Sequence, residues 1–186
     1  MVSVLTFSGF FNDYSFPPRL MIFIGVPALA MILSLAVPRT RGFLMDIPIT
    51  TLHYMHIIRV PVEMVLWWLS VAAVIPSIMT FEGSNLDIIS GISAPFAAVF
   101  MVGSRSKNKI GGVIWNLLAL GLLVNIVYIA ISHSPYFYEG TAEVPVNTGV
   151  LYFPYILLPT LVVPTVLFAH LVALVQLIFK KDHKQF

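Results

Sequence analysis

The sequence contains no cysteine and few charged residues. Without cysteine, the chain has no thiolate metal site, iron–sulfur cluster, c-type haem attachment or disulfide. Charged residues make up only 10% of the 186 residues, whereas hydrophobic residues make up 59%. Because a soluble domain carries about 25% charged residues, this composition indicates an integral protein of a lipid bilayer. The formal net charge of +2 is too small to indicate a nucleic-acid partner.

Several catalytic signatures are also missing. There is no nucleophile elbow, no His-Glu-x-x-His helix and no phosphate-binding loop. No lysine lies within a predicted span, which excludes a retinal Schiff base. No Lys or Arg precedes Arg19, so the basic start of a cleavable signal peptide is absent and we expect the first span to be retained. The sequence favours a non-catalytic protein with no metal ion site and no cofactor.

Long apolar runs predict an all-α bundle of five transmembrane helices in one domain. A bilayer needs about 20 apolar residues per helix. The predicted spans cover approximately residues 20–37, 57–80, 86–102, 110–132 and 151–179. Segment 1–18 is aromatic but short and irregular, so we expect it at the membrane interface.

The charged loops predict the orientation of the bundle. With five spans, the basic segments 38–41, 103–109 and 180–184 fall on one side of the membrane, and the acidic segments 82–87 and 139–143 fall on the other. The positive-inside rule then places the N-terminus outside and the C-terminus in the cytoplasm. Ser84 or Asn85 can cap the third helix. We expect the turn 82–91 to pack against the outer loop 133–148.

The second span begins with charged residues, which marks a candidate site. At about 100° per residue, His56, Arg59 and Glu63 share one helix face. Charges within a span need a partner, a water-filled cavity or an interface. Arg59 can pair with Glu63, or it can extend to the lipid head groups. The side chain of Glu63 is shorter than that of Arg59 and lies deeper in the predicted span, so the same extension to head groups explains Glu63 less well.

Two residues on other spans lie at the depth of Glu63. They are Asn116 in the fourth span and His170 in the fifth. We expect a ligand and proton site in which Arg59 holds an anion, Glu63 and His170 handle a proton, and Asn116 orients the ligand. For Asn116 and His170, a hydrogen bond between helices is the alternative role.

A secondary polar site is expected nearer the outside, formed by Asp87, Ser90 and Asn125. Asn125 follows Asn116 by nine residues, so the two asparagines occupy opposite helix faces. Asp87 or Ser90 can then reach Asn125. A purely structural hydrogen bond is again the alternative.

Three functions follow from these patterns. The first is a protein that binds or transports a small molecule or ion. The second is an accessory or structural subunit, contacting a membrane protein partner or another copy of the chain through the small residues of the third span and the aromatic loop 136–138. The third is a haem b electron-transfer protein, with axial ligands drawn from His53, His56 and His170.

Five short motifs carry a resemblance to a known group of proteins. They are Arg59-Val60-Pro61-Val62-Glu63, Met79-Thr80-Phe81-Glu82-Gly83, Asp87-Ile88-Ile89-Ser90-Gly91-Ile92-Ser93-Ala94-Pro95, Trp115-Asn116 and Asn125-Ile126-Val127. With these motifs the chain resembles a family of small, uncharacterised bacterial membrane proteins from the second span to the fifth. The resemblance implies a bacterial inner-membrane protein with the same number of spans, and it implies no activity.

Overall fold

The chain folds into packed helices in the computed structural model, which describes residues 1–13, 18–103 and 108–179. This described part contains no β-strand, so the predicted all-α fold class is confirmed. The α-helices, numbered in chain order, are α1 Val2–Phe7, α2 Arg19–Ala36, α3 Pro38–Asp46, α4 Ile49–Tyr54, α5 Arg59–Val71, α6 Asp87–Phe100, α7 Lys109–Ser132 and α8 Val163–Phe179. Short 3₁₀ helices lie at Phe10–Asn12, Met55–Ile58, Ser77–Met79 and Gly149–Leu151, and a π-helical turn, Leu158–Val162, leads into α8.

Within the described residues, three helices are long and apolar enough to cross a membrane. They are Arg19–Ala36, Lys109–Ser132 and Leu158–Phe179, and they correspond to the first, fourth and fifth predicted spans. Helix α6, at the third predicted span, is apolar but has only 14 residues. The structure therefore supports membrane association, with three helices of spanning length.

The second predicted span has different limits in the structure. Helix α4, the 3₁₀ turn and α5 follow one another without a break from Ile49 to Val71, whereas the sequence predicted a helix over 57–80. The helix ends because Ala73 adopts a left-handed conformation with φ of 56°. The backbone N–H of Val74 then bonds to the Leu69 carbonyl and that of Ala73 to the Ser70 carbonyl, as in a Schellman end.

The predicted fifth span, 151–179, starts later in the structure than expected, whereas its end at Phe179 agrees. Residues 152–156 form a bend and turns, with a cis peptide bond between Phe153 and Pro154, and the π-helical turn that leads into α8 begins at Leu158. Helix α3 was not predicted as a separate element. It starts with Pro38, a residue favoured in the first turn of a helix, and it stops before Pro48.

Some predicted features fall partly or wholly outside the described residues. Residues 14–17 of the predicted interfacial segment 1–18 are among these. So are residues 104–107 of the basic loop 103–109 and the whole basic tail 180–184.

The small residues of α6 lie inside the bundle. Gly91 is so close to the first turn of α5 that a Cβ atom on it would lie 3.0 Å from the Val60 backbone nitrogen and 3.2 Å from the Arg59 Cβ. Ser90 and Ala94 are buried beside it. In this chain the small-residue face therefore serves internal packing, which positions Arg59.

We expect Gly91→Ala to destabilise the protein, because the added methyl group meets backbone that cannot rotate away. Overpacking of this kind costs about 1–3 kcal/mol in the free energy of unfolding. The matched control is Gly121→Ala in α7, where an added Cβ meets nothing within 4 Å. Unfolding of both variants in detergent would measure the difference, and equal stability of the two would contradict the close approach at Gly91.

Candidate functional site

Buried polar side chains form two neighbouring groups in the described part of the chain. We call the first the carboxylate cluster, which consists of Arg59, Glu63, Asn85 and Asp87. We call the second the histidine cluster, which consists of His53, His56, Trp115, Asn116 and His170. Every member of both clusters is at most 9% exposed.

Arg59 is buried and bound to protein groups on two other helices. Its Nη1 and Nη2 both donate to the Ala119 carbonyl oxygen of α7 at 3.1 Å. Its Nε lies 3.3 Å from Asp87 Oδ2 at the start of α6. The side chain is 2% exposed, so it does not extend to lipid head groups. A buried guanidinium requires such partners because the loss of hydration is costly.

Asn85 connects Glu63 to the start of α6. Its Nδ2 donates to Glu63 Oε1 and, at 3.0 Å, to the Met79 carbonyl, while its Oδ1 accepts from the Asp87 backbone N–H at 3.1 Å. The sequence marked Asn85 only as a candidate helix cap. Nothing in the sequence indicated that its amide would reach Glu63 on another helix.

Within the histidine cluster, His53, Asn116 and His170 form a chain of hydrogen bonds across three helices. Asn116 Nδ2 lies 3.1 Å from His53 Nε2, and Asn116 Oδ1 lies 2.9 Å from His170 Nδ1. His53 Nδ1 lies 2.9 Å from the Ile49 carbonyl oxygen. Because a carbonyl only accepts and an amide NH₂ only donates, His53 and His170 both carry their proton on Nδ1. Asn116 thus links α4, α7 and α8.

His56 packs face to face against His170. The ring centroids are 3.9 Å apart with an interplanar angle of 23°, and the Trp115 ring lies 5.5 Å from that of His56. Stacked imidazoles leave no space between them for an iron atom, and both nitrogens of His53 are engaged. The arrangement therefore does not fit an axially ligated haem. The described residues also contain no group of three or more potential ligands that could hold a metal ion.

The structure divides the predicted ligand and proton site between the two clusters. Arg59 and Glu63 lie in the carboxylate cluster, whereas Asn116 and His170 lie in the histidine cluster. His170 contacts Asn116 and His56 rather than Glu63. Sequence spacing could place these residues at one depth but could not assign their partners.

The predicted secondary site is divided as well. Asp87 pairs with Arg59, and Asn125 Nδ2 instead donates to the Ser84 carbonyl at 2.9 Å. Ser90 is 2% exposed. Its hydroxyl has no hydrogen-bond partner among the described residues. Asn125 and Asn116 lie on the same helix α7 but bond to different parts of the chain.

A cavity of about 310 Å³ lies next to the carboxylate cluster. Its walls are almost entirely apolar side chains of α2, α5, α7 and the segment leading into α8. Arg59, Glu63 and Asp87 line one part of it, and Asn147 also contributes. Along α7 the lining runs from Leu123 to Ile131, about 12 Å at 1.5 Å per residue. The sequence could not predict this cavity, because residues from several distant parts of the chain, between Leu20 and Val166, line it.

Comparison with known proteins identifies a family but no characterised relative. A family model described as Domain of unknown function (DUF8737) matches residues 17–178. No curated protein and no solved structure matches the chain.

The hydrogen bonds of Asn116 predict the ring tautomers of two histidines. We expect ¹⁵N NMR of histidine-labelled protein in lipid to show Nδ1-protonated rings for His53 and His170. Asn116→Leu removes both bonds and should shift the signals of both rings. The control Asn125→Leu breaks only the bond to Ser84 and should leave them unchanged. Wild-type signals of Nε2-protonated rings would contradict the assignment.

Proposed function

The chain belongs to the DUF8737 family, and we propose that it is a membrane protein that binds a small apolar or amphiphilic molecule inside its helix bundle. The observation that carries this proposal is the cavity, which has apolar walls and buried charged groups in one part of its lining. Binding is the step that a transporter and a receptor share.

The dimensions and lining of the cavity support this proposal. Small-molecule sites are typically cavities of about 300–1,000 Å³ that are mainly apolar and contain a few well-placed polar groups. At about 310 Å³, this one suits a small ligand. Ionisable groups buried at membrane depth are costly and commonly mark a ligand or ion site.

The proposed ligand is not the anion that the sequence led us to expect at Arg59. Two of the five N–H groups of Arg59 donate to the Ala119 carbonyl and a third faces Asp87, so acceptors of the protein already hold the guanidinium. The stacked histidines do not appear among the cavity lining. The ligand is therefore placed in the apolar cavity rather than between the two clusters.

We further propose that the chain spans a bacterial inner membrane five times, with its N-terminus outside and its C-terminus in the cytoplasm. Three helices of spanning length, the continuous helical segment from Ile49 to Val71 and the apolar helix α6 support the number of spans. The basic and acidic loops support the direction.

The lack of natural cysteine allows a direct test of this orientation. We expect Glu143→Cys, in the exposed outer loop, to react with a membrane-impermeant maleimide on intact spheroplasts. Arg39→Cys, in the exposed first turn of α3, should react only after the membrane is permeabilised. The opposite labelling pattern would contradict the proposed orientation.

Two valines of α7 provide a matched test of the binding cavity. Val127 lines the cavity, whereas Val124, one turn earlier, is 59% exposed on the outside of the bundle. We expect decanol to raise the melting temperature of the wild type and of Val124→Trp in lipid nanodiscs. Val127→Trp should lose this response because the indole fills the cavity. Ligand at 100 times its Kd stabilises a protein by about 2.7 kcal/mol.

The two tryptophan variants separate binding in the cavity from partition into the bilayer. Bilayer partition affects both variants equally, since the nanodisc lipid is the same. If decanol stabilises Val127→Trp as much as Val124→Trp, the cavity is not the binding site.

A further inference from the structure

We propose that the cavity recognises a cationic head group, so that its ligand is an alkyl amine or a similar apolar molecule with one ammonium group. This inference rests on the proposed function and names the class of ligand. It is based on buried polar atoms without a partner that belong to residues of the cavity lining, and on the acidic and basic groups among those residues.

The unpartnered polar atoms of the lining are mainly acceptors. Glu63 Oε2, Asp87 Oδ1 and Asn147 Oδ1 are buried and have no hydrogen-bond partner within the described residues. The one unbonded donor is Arg59 Nε, which already lies 3.3 Å from Asp87 Oδ2. A buried acceptor without a donor is costly. A ligand that donates hydrogen bonds would satisfy these acceptors.

The carboxylate cluster also contains more acidic than basic groups. Two carboxyl groups, those of Glu63 and Asp87, lie beside the single guanidinium of Arg59, and they are only 1% and 4% exposed. When both carboxyl groups are ionised, one of the two negative charges has no balancing positive charge in the cluster. An ammonium group supplies one positive charge and three N–H donors, and its hydrogen bonds to carboxylates belong to the stronger, charge-assisted type.

An anionic head group does not suit this site. It would face Glu63 and Asp87, which line the cavity beside Arg59, and it would compete with the Ala119 carbonyl for the Arg59 Nη atoms. A hydroxyl group can donate one hydrogen bond but leaves the charge unbalanced. The apolar body of the ligand would lie along α7, from Leu123 toward Ile131.

The test compares three probes with the same chain and different head groups. Decylamine, decanol and decanoate would be titrated at neutral pH against wild-type protein in phosphatidylcholine nanodiscs. Nanodiscs carrying Val127→Trp would provide the background for bilayer partition. We expect decylamine to bind about tenfold more tightly than decanol, because hydrogen bonds to charged groups exceed neutral ones by that order. Decanoate should bind most weakly.

Glu63→Gln should reduce the preference for decylamine over decanol by about tenfold, because the amide removes the charge and keeps the size of the side chain. The matched control is Glu82→Gln, which changes an exposed residue outside the cavity lining and should leave the preference unchanged. The wild-type series needs no variant at Glu63, so it tests the inference even if Glu63→Gln fails to fold.

The outcomes separate this inference from the proposed function. If decanol or decanoate binds as tightly as decylamine, and Val127→Trp still abolishes binding, the cavity binds ligand but the cationic head group is wrong. If no probe distinguishes wild type from Val127→Trp, the proposed function itself is wrong. Tight decylamine binding that is lost in Val127→Trp and weakened in Glu63→Gln supports both.

The same ammonium chemistry occurs in free amines and in the lipid phosphatidylethanolamine. Repeating the decylamine titration in nanodiscs that contain phosphatidylethanolamine distinguishes the two sources. Competition by the lipid supports the ammonium site and assigns it to a lipid head group. Unchanged decylamine binding supports the same site and assigns it to a free amine.

Discussion

The burial of the Arg59 guanidinium is the constraint on which the rest of the bundle depends. A cation held at 2% exposure requires acceptors in fixed positions, and here they come from the Ala119 carbonyl of α7 and the Asp87 carboxylate of α6. The three helices must therefore approach one another closely. Gly91 permits this approach, because any side chain there would meet Val60.

The polar part of the cavity lining belongs to the same arrangement. Asp87 engages Arg59 through one carboxylate oxygen, and Asn85 binds Glu63 through one of its two, so each carboxyl group retains an oxygen without a partner. Those oxygens belong to residues that line the apolar cavity. The groups that stabilise the buried arginine thus also define the polar part of the binding site.

Local patterns in the sequence predicted some of this structure but not the contacts between distant segments. From the helical period, the sequence predicted that Arg59 and Glu63 share one helix face and that Asn116 and Asn125 occupy different faces. Both predictions depend on local geometry alone. The pairing of Arg59 with Asp87 and of Asn85 with Glu63 depends on how separate helices dock. The sequence also did not predict that α5 ends before Ala73. A left-handed residue at a helix end is usually glycine, and alanine at this position gives no comparable signal.

The hydrogen bonds through Asn116 all have the same direction. His170 donates to the Asn116 oxygen, Asn116 donates to His53, and His53 donates to the Ile49 carbonyl. A further bond from Asn116 Nδ2 to the Gly112 carbonyl at 2.9 Å prevents the amide from turning over without loss. Bonds aligned in this way polarise one another. A change of charge next to His170 on α8 would therefore alter the polarisation of these bonds as far as the Ile49 carbonyl of α4, although no atom has to move between them.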